Sequence, residues 1–162
     1  MSIFKPTLLM DKITEITPDT FQEIGATHVL LDVDNTLASY RSHEPIAGAV
    51  AWVEKMKKAG FHLIIVSNNY KSRVGPFAEK FGLPFVTFAC KPFPFGYLKA
   101  KKMLQAARIK NCVIVGDQIF TDIIGANLCG MKSILLDPVE VEEGFSFHIR
   151  RVTEKKLKNK YR

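Results

Sequence analysis

Four groups of polar residues along the chain could together hold a metal ion and a phosphate. Clustered carboxylates without His or Cys favour a hard cation, and Mg²⁺ suits them best. A phosphate would be neutralised by this cation and by Lys91, and it would accept hydrogen bonds from Ser67 and from backbone N–H groups. The four groups are Asp32-Val33-Asp34-Asn35-Thr36, Ser67-Asn68-Asn69, Lys91-Pro92, and Gly116-Asp117 with Asp122.

The Asp-x-Asp pair in the first group could supply two different catalytic functions. A carboxylate can attack phosphorus as a nucleophile and form an aspartyl-phosphate. Side chains two residues apart in extended backbone lie on the same side, so the second carboxylate can act as an acid and then as a base. The pair therefore indicates covalent chemistry on a phosphate group.

Strands and helices that alternate after residue 25 would bring these groups together. Short β-rich apolar runs predict strands that are buried on both faces. Helical stretches separate the runs, which predicts an α/β fold, a Rossmann-like doubly wound parallel sheet of about five strands. The polar groups follow strand ends, at the edge where such sheets bind ligands. The runs are Val29–Leu31, Phe61–Val66, Phe85–Phe88, Cys112–Val115 and Ser133–Leu136.

Apolar periodicity and end signals locate the helices. Thr17 and Pro18 predict the start of a short helix that extends to Ile24. Leu9, Ile13 and Ile16 form an earlier apolar stripe, which predicts a short helix packed on the sheet or lying on a membrane surface. The remaining helices are predicted around Ile46, Val50 and Val53, around Val74, Phe77, Ala78 and Phe81, around Tyr97, Ala100, Leu104 and Ala107, and from Phe120 to Gly130.

Composition and charge exclude several classes of protein. A chain of 162 residues that is 47% hydrophobic and 24% charged predicts one globular domain rather than a disordered chain. No apolar run approaches the roughly 18 residues that a membrane span needs, and we expect no secretory signal. The three scattered cysteines, Cys90, Cys112 and Cys129, favour a reduced, cytoplasmic chain.

The net charge of +7 is concentrated at the C-terminus, where seven basic residues and Glu154 follow residue 147. Such a basic tail suits an anionic partner, either lipid head groups or nucleic acid, or it is a solvated end. We therefore expect three segments: an N-terminal helical segment (1–27), a catalytic core (28–137) and a C-terminal basic tail (138–162).

The four polar groups, taken in order, resemble the four motifs of the haloacid dehalogenase (HAD) superfamily of phosphatases. The resemblance implies that Asp32 attacks phosphorus and that Asp34 protonates the leaving group and then activates water. It also implies that Asn35, where many relatives have Gly, still permits activity, because Asn tolerates left-handed backbone. By the same resemblance the catalytic residues are Asp32, Asp34 and Lys91. The substrate-binding residues that it implies are Thr36, Ser67, Asn68 and Lys91. The Mg²⁺ ligands that it implies are Asp32, Asp34 through its carbonyl, Asp117 and Asp122.

Shorter stretches are similar to the subclass IIIA group called YqeG-like, whose relatives include phosphatidylglycerophosphate phosphatases. These stretches are Asp32–Leu37, Lys91-Pro92-x-Pro94 and Gly125-Ala126-Asn127. The intervals Leu37–Glu44 and 68–90 have no room for a cap domain, so we expect an open site. An open site and a basic tail favour a macromolecular or membrane-bound substrate. Together with the resemblance to the YqeG-like group, they favour phosphatidylglycerophosphate. This lipid would be hydrolysed at the inner face of a membrane.

Two other functions remain open at this point. One is a HAD phosphatase that acts on a nucleotide, a nucleic-acid end or a phosphoprotein. The tail has few aromatic residues on which single-stranded bases could stack, which weakens the nucleic-acid version. The other is a non-catalytic module that binds RNA or a membrane, and Mg²⁺-dependent hydrolysis of a simple aryl phosphate would exclude it.

Overall fold

A six-stranded, entirely parallel sheet forms the centre of the protein. The computed structural model describes residues 2–140, 152, 154–156 and 159–161. The strand order is β1-β6-β5-β2-β3-β4: β1 forms one edge, β2 lies inside the sheet, and the later strands extend from β2 towards both edges. The strands are β1 (Leu8–Met10), β2 (His28–Leu31), β3 (His62–Val66), β4 (Phe85–Val86), β5 (Cys112–Gly116) and β6 (Lys132–Leu136).

Helices cover both faces of the sheet. On one face, Phe21, Trp52 and Phe77 pack with alternate strand residues such as Leu31 and Ile65. On the other face, Tyr97, Ala100 and Ala126 pack with the intervening residues, among them Leu30 and Ile64. Burial on both faces explains why the strand sequences are continuously apolar. The helices are α1 (Pro18–Glu23), α2 (Ala49–Lys58), α3 (Lys71–Phe81), α4 (Pro94–Met103) and α5 (Ile124–Cys129), with 3₁₀ turns at Ile13–Glu15 and Ile109–Asn111 and a π-helical turn, Ile119–Ile123, that leads into α5.

All five strands expected from the sequence are present, with small shifts at their ends. The sixth strand, β1, was not expected, and the prediction of a helix at Leu9 is wrong. Leu and Met favour helices when considered alone, but Leu8–Met10 pairs with Ile134–Leu136 at the sheet edge. Thr7 reinforces this pairing, because its hydroxyl accepts a hydrogen bond from the Ser133 N–H at 3.1 Å.

The helix predictions hold except at their ends. Thr17 caps α1, and its hydroxyl accepts the N–H of Thr20 at 3.4 Å. Gly82 ends α3 in left-handed backbone at φ +60°, which glycine adopts without a steric penalty. Ile46 precedes α2 and Ala107 follows α4, so both lie outside the helices to which the sequence assigned them.

Among residues 2–140, nothing resembling a cap domain interrupts the sheet. The loop that follows the first motif is short and contains two isolated β-bridges, from Asp34 to Ala38 and from Ala38 to Pro45. Residues 68–90 hold only α3 and β4 with their connections. Within the described residues, no helix is both long enough and apolar enough to cross a membrane.

Part of the C-terminal tail lies outside the described residues, including Phe145, Phe147 and Ile149. Residues 154–156 and 159–161 are helical. Glu154 is buried, whereas Lys155, Lys156 and Lys160 are exposed. The Tyr161 hydroxyl lies 2.9 Å from the Ser2 hydroxyl, so the tail contacts the start of the chain.

The burial of the N-terminal segment leads to a stability prediction. Ile13 is fully buried in the main apolar cluster, whereas Ile3 is 44% exposed. We expect Ile13→Ala to lower the free energy of unfolding by about 2–5 kcal/mol, because it opens a cavity in the core. Ile3→Ala is the matched control and should stay within about 0.5 kcal/mol of the parent in urea unfolding. Equal, small effects of the two variants would show that Ile13 does not pack in the core.

Candidate active site

The ends of four neighbouring strands meet at one edge of the sheet and form a polar crevice. Asp32 follows β2, Ser67 follows β3 and Asp117 follows β5, while Lys91 lies a few residues beyond β4. Because the strands are parallel and adjacent, their carboxyl ends share this edge. All four side chains are buried although they are polar or charged, so each needs a compensating interaction.

Lys91 holds two of the carboxylates. Its Nζ atom lies 2.6 Å from Asp32 Oδ1 and 2.7 Å from Asp122 Oδ1. The side chains of Lys91, Asp32 and Asp122 are 3%, 11% and 1% exposed, so solvent hardly reaches this bridge. A buried ammonium between two carboxylates is strongly held, since each charge would be costly to bury alone.

Asn68 fixes the backbone of Lys91. Its side-chain amide donates to the Lys91 carbonyl at 3.1 Å and accepts the Lys91 N–H at 2.8 Å. Both polar atoms of the amide are thus engaged by one residue on the neighbouring connection. Asn68 therefore positions the lysine, and the substrate contact that the sequence assigns to Asn68 stays a prediction.

The fourth motif depends on a close approach between Gly116 and Asp122. A Cβ atom on Gly116 would collide with the carboxyl group of Asp122, so only glycine fits there. The Gln118 N–H donates to Asp122 Oδ2 at 3.2 Å. Glu154 from the tail accepts the Ile119 N–H at 2.9 Å and the Phe120 N–H at 3.4 Å, which ties the tail to the start of this turn.

The carboxylates of Asp32, Asp117 and Asp122 form a group that could bind a metal. One oxygen from each lies within 4.8 Å of the others, and all three residues are buried. When all three carboxyl groups are ionised, they and the Lys91 ammonium leave two negative charges in the crevice, which a divalent cation would neutralise. The donors are all oxygen atoms, so the set fits Mg²⁺.

Asp34 occupies a different environment from Asp32. Arg73 on α3 donates to Asp34 Oδ1 at 2.8 Å, and the Asn69 amide donates to Asp34 Oδ2 at 2.6 Å. The Arg41 N–H adds a longer contact of 3.3 Å. Asn35, which directly follows Asp34, has φ +60°, the left-handed backbone that Asn tolerates, as expected from the sequence.

Arg73 and Asn69 are site residues that the sequence did not predict. A single arginine in the first turn of an amphipathic helix is typical of a solvated surface, so Arg73 gave no signal. Asn69 could have been inferred, because it directly follows the Ser67-Asn68 pair at the strand end. Both residues act on the carboxylate of Asp34.

Ser67 and Thr36 are both buried, but they differ in their surroundings. The Ser67 hydroxyl accepts the Asn69 N–H at 3.1 Å, and its backbone N–H donates to the Val86 carbonyl, which places it at the crevice. Thr36 faces a cavity that it shares with Asn35 and Asp137. The Thr36 hydroxyl has no hydrogen-bond partner among the described residues. Its expected contact with substrate stays a prediction.

Burial controls the protonation of the site. The pKa of Asp32 is raised from 3.8 to about 7: desolvation is the largest cause, the nearby charge of Lys91 opposes it, and the charges of Asp122 and Asp34 add to it. Burial alone would lower the pKa of Lys91, but the charges of Asp122 and Asp32 outweigh it and raise that pKa. Lys91 therefore stays positive while Asp32 titrates near neutrality.

Comparison with known proteins identifies related chains. Residues 3–130 match the family model described as haloacid dehalogenase-like hydrolase. The chain is 33% identical over 154 residues to the Bacillus subtilis protein named "Probable phosphatase YqeG", covering 95% of this chain and 89% of that protein.

Solved structures share the fold at lower identity. An uncharacterised protein from Listeria monocytogenes serotype 4b has a TM-score of 0.58 and 20% identity, over 82% of this chain and 99% of that one. A phosphonoacetaldehyde hydrolase-like protein from Oleispira antarctica has a TM-score of 0.53 and 20% identity, over 72% of this chain and 50% of that one. These similarities confirm the α/β fold expected from the sequence.

The raised pKa of Asp32 predicts how the stability of the metal-free protein depends on pH. The folded state keeps a proton on Asp32 up to about pH 7, whereas the unfolded chain releases it near 3.8. This group therefore stabilises the fold at low pH and loses that contribution as pH rises through this window. Asp32→Asn should gain stability relative to the parent between pH ~5 and ~7.5 in EDTA, measured by urea unfolding. Parallel pH profiles of the two proteins would contradict the assignment.

Proposed function

The chain belongs to the haloacid dehalogenase-like hydrolase family, and we propose that it hydrolyses phosphomonoesters through an aspartyl-phosphate on Asp32. It is a phosphatase, in agreement with its family and with its relation to the Bacillus subtilis protein. The observation that carries the covalent mechanism is the buried bridge from Lys91 to Asp32 and Asp122. The bridge supports the proposal because it brings one ammonium and two of the three clustered carboxylates together.

Asp32 is the nucleophile in this proposal. Its ionised carboxylate attacks phosphorus, and the bond from phosphorus to the ester oxygen breaks. Lys91 holds the carboxylate in place and donates to the oxygens of the phosphoryl group, whose charge it offsets. Ser67 contributes a hydroxyl from the neighbouring strand end. Water then attacks the phosphorus of the aspartyl-phosphate, which releases inorganic phosphate and restores Asp32.

Asp34 serves as acid and then as base. It gives a proton to the leaving oxygen in the first step and takes one from water in the second. Arg73 and Asn69 hold its carboxylate in one orientation, so the proton is delivered from a fixed position. This pair of aspartates follows a general pattern, in which two carboxylates take separate roles because their surroundings differ.

Mg²⁺ would be held by Asp32, Asp117 and Asp122 and by the backbone carbonyl of Asp34. When bound, it would neutralise negative charge on the phosphoryl group during transfer. The charge balance and the all-oxygen donor set support this proposal. Gly116 supports it indirectly, since its missing side chain lets the carboxylate of Asp122 approach the group.

The substrate that we propose is the phosphomonoester head group of an anionic phospholipid, phosphatidylglycerophosphate, which would be converted to phosphatidylglycerol at the inner face of a membrane. Three features support it: the resemblance to the YqeG-like group, the absence of a cap over the described crevice, and a net charge of +7. An uncapped site encloses little of a small metabolite, whereas a lipid head group is presented by the bilayer itself.

A panel of substrates tests the function. We expect Mg²⁺-dependent phosphate release from phosphatidylglycerophosphate in vesicles to exceed release from nucleotides and phosphopeptides, with slow turnover of an aryl phosphate. Asp32→Asn should abolish release without unfolding the protein, because the nucleophile is lost. Asp34→Asn should reduce the rate by about 10²–10⁴-fold, the usual contribution of acid–base catalysis.

The variants and the panel can each contradict a separate part of the proposal. Hydrolysis by Asp32→Asn at the level of the parent would exclude the covalent mechanism. A preference for nucleotides or phosphopeptides over the lipid would reject the substrate and leave the mechanism in place. No turnover of any phosphate ester, under conditions in which the protein is folded, would favour a binding module.

The metal site leads to a second prediction. EDTA should abolish phosphate release, and Ca²⁺ should inhibit because it prefers more ligands and looser geometry than Mg²⁺. Asp117→Ala should raise the Mg²⁺ concentration needed for half-maximal rate by about tenfold or more. Asp19→Ala, an exposed aspartate on α1, is the control and should leave that concentration unchanged. Full activity in excess EDTA would show that the carboxylate group does not act through a metal.

A further inference from the structure

Four aromatic side chains project into solvent beside the crevice. We call this group the aromatic rim. It consists of Tyr70, Phe88, Phe93 and Phe95, whose exposed fractions are 65%, 59%, 61% and 70%. Large apolar side chains exposed as a group, rather than singly, mark surfaces that bind a partner or a membrane.

The rim is continuous with the site. Tyr70 follows the Ser67-Asn68-Asn69 motif, and its ring contacts Phe88 edge-on with centroids 5.4 Å apart. The Phe88 N–H donates to the Asn69 carbonyl at 3.2 Å, and the Phe93 N–H donates to the Cys90 carbonyl at 2.8 Å. Tyr70, Phe88 and Phe93 therefore lie on the same two connections that carry Ser67 and Lys91, and Phe95 lies in the first turn of α4.

Backbone strain maintains the exposure of Phe88. Phe88 and Cys90 have φ angles of +48° and +55°, a region that bulky residues rarely adopt. This turn buries Ala89 in the core, but the Phe88 side chain itself gains no burial from it, since it is 59% exposed. A bulky side chain that is kept exposed at a strained position beside a site indicates a function there.

The chain around the rim is strongly basic. Residues 80–116 contain seven basic residues and no acidic residue; Lys91 is buried in the site and Lys80 pairs with Glu44, which leaves five others. Lys71 and Lys99, which flank the rim in sequence, are both exposed. Exposed aromatic rings with surrounding lysines match the boundary of an anionic bilayer, where rings enter the head-group region and lysines contact lipid phosphates.

We propose that the aromatic rim is a membrane-docking surface that inserts into anionic phospholipid bilayers. Insertion would bring the open crevice against the lipid head groups, so a phosphate on a head group could reach Asp32 without leaving the bilayer. This inference rests on the lipid substrate of the proposed function. To that proposal it adds the surface that contacts the membrane, which is separate from the basic tail. It also adds the side of the protein that faces the lipid.

The test measures binding of the full chain to vesicles of phosphatidylglycerol and phosphatidylcholine, which contain no phosphatase substrate. The test variant combines Phe93→Ser with Phe95→Gln. Ser suits position 93, because Phe93 is the N-cap of α4 and Ser is a favoured N-cap residue. We expect binding to weaken by about tenfold or more, since two aromatic side chains no longer enter the bilayer. Hydrolysis of an aryl phosphate should stay unchanged.

Leu128→Gln is the matched control. Leu128 is as exposed as Phe93, at 61%, but it lies in the last turn of α5, which leads to the opposite edge of the sheet. It should bind vesicles like the parent. Phe93→Trp provides a direct reading, because Trp52 is the only native Trp and is buried. Brominated lipids should quench the fluorescence of Phe93→Trp strongly and that of Leu128→Trp weakly.

Two results would overturn the proposal. One is unchanged vesicle binding by the Phe93→Ser/Phe95→Gln variant together with no added quenching in Phe93→Trp. The other is a parent that self-associates through the rim without lipid, seen as an oligomer in sedimentation that the double variant loses. Absence of phosphate release from the lipid, with vesicle binding and quenching intact, would instead count against the proposed substrate.

Discussion

The ammonium group of Lys91 makes it possible to bury three carboxylates at the end of one sheet. It lies within hydrogen-bonding distance of both Asp32 and Asp122, and Asn68 holds its backbone in place. Even so, one positive charge cannot balance three negative ones. Burial, helped by the nearby charges of Asp122 and Asp34, raises the pKa of Asp32 to about 7 despite the opposing charge of Lys91. The uncompensated negative charge is what suits the crevice to a cation.

The two aspartates of the first motif illustrate how surroundings assign roles. Asp32 is buried beside Lys91 and the other carboxylates, while Asp34 is paired with Arg73 at the edge of the crevice. In the proposed mechanism the first attacks phosphorus and the second exchanges protons with solvent. Both proposed roles depend on side chains from neighbouring connections, Lys91 and Asn69, and on Arg73 of α3, so the proposed chemistry needs the packing of the parallel sheet and its helices.

The sequence was sufficient for the fold class and for the group of acids, because buried parallel strands are continuously apolar and polar residues at their ends stand out. It was insufficient for β1, whose three residues acquire strand structure only from pairing with β6. It also missed Arg73, since an arginine on a helix surface is common and its partner Asp34 lies far away in sequence. The contact of Glu154 with the turn before α5 was missed for the same reason, because the two partners are 35 residues apart in sequence.

The central claim is that Asp32 carries the phosphoryl group during turnover. The most direct test is to quench the reaction during steady-state hydrolysis in acid, digest the protein and locate the phosphoryl group by mass spectrometry. The account predicts one phosphoryl group, on the peptide that contains Asp32 and on that side chain, and none in Asp32→Asn. A phosphoryl group on any other residue of the turning-over enzyme would contradict it.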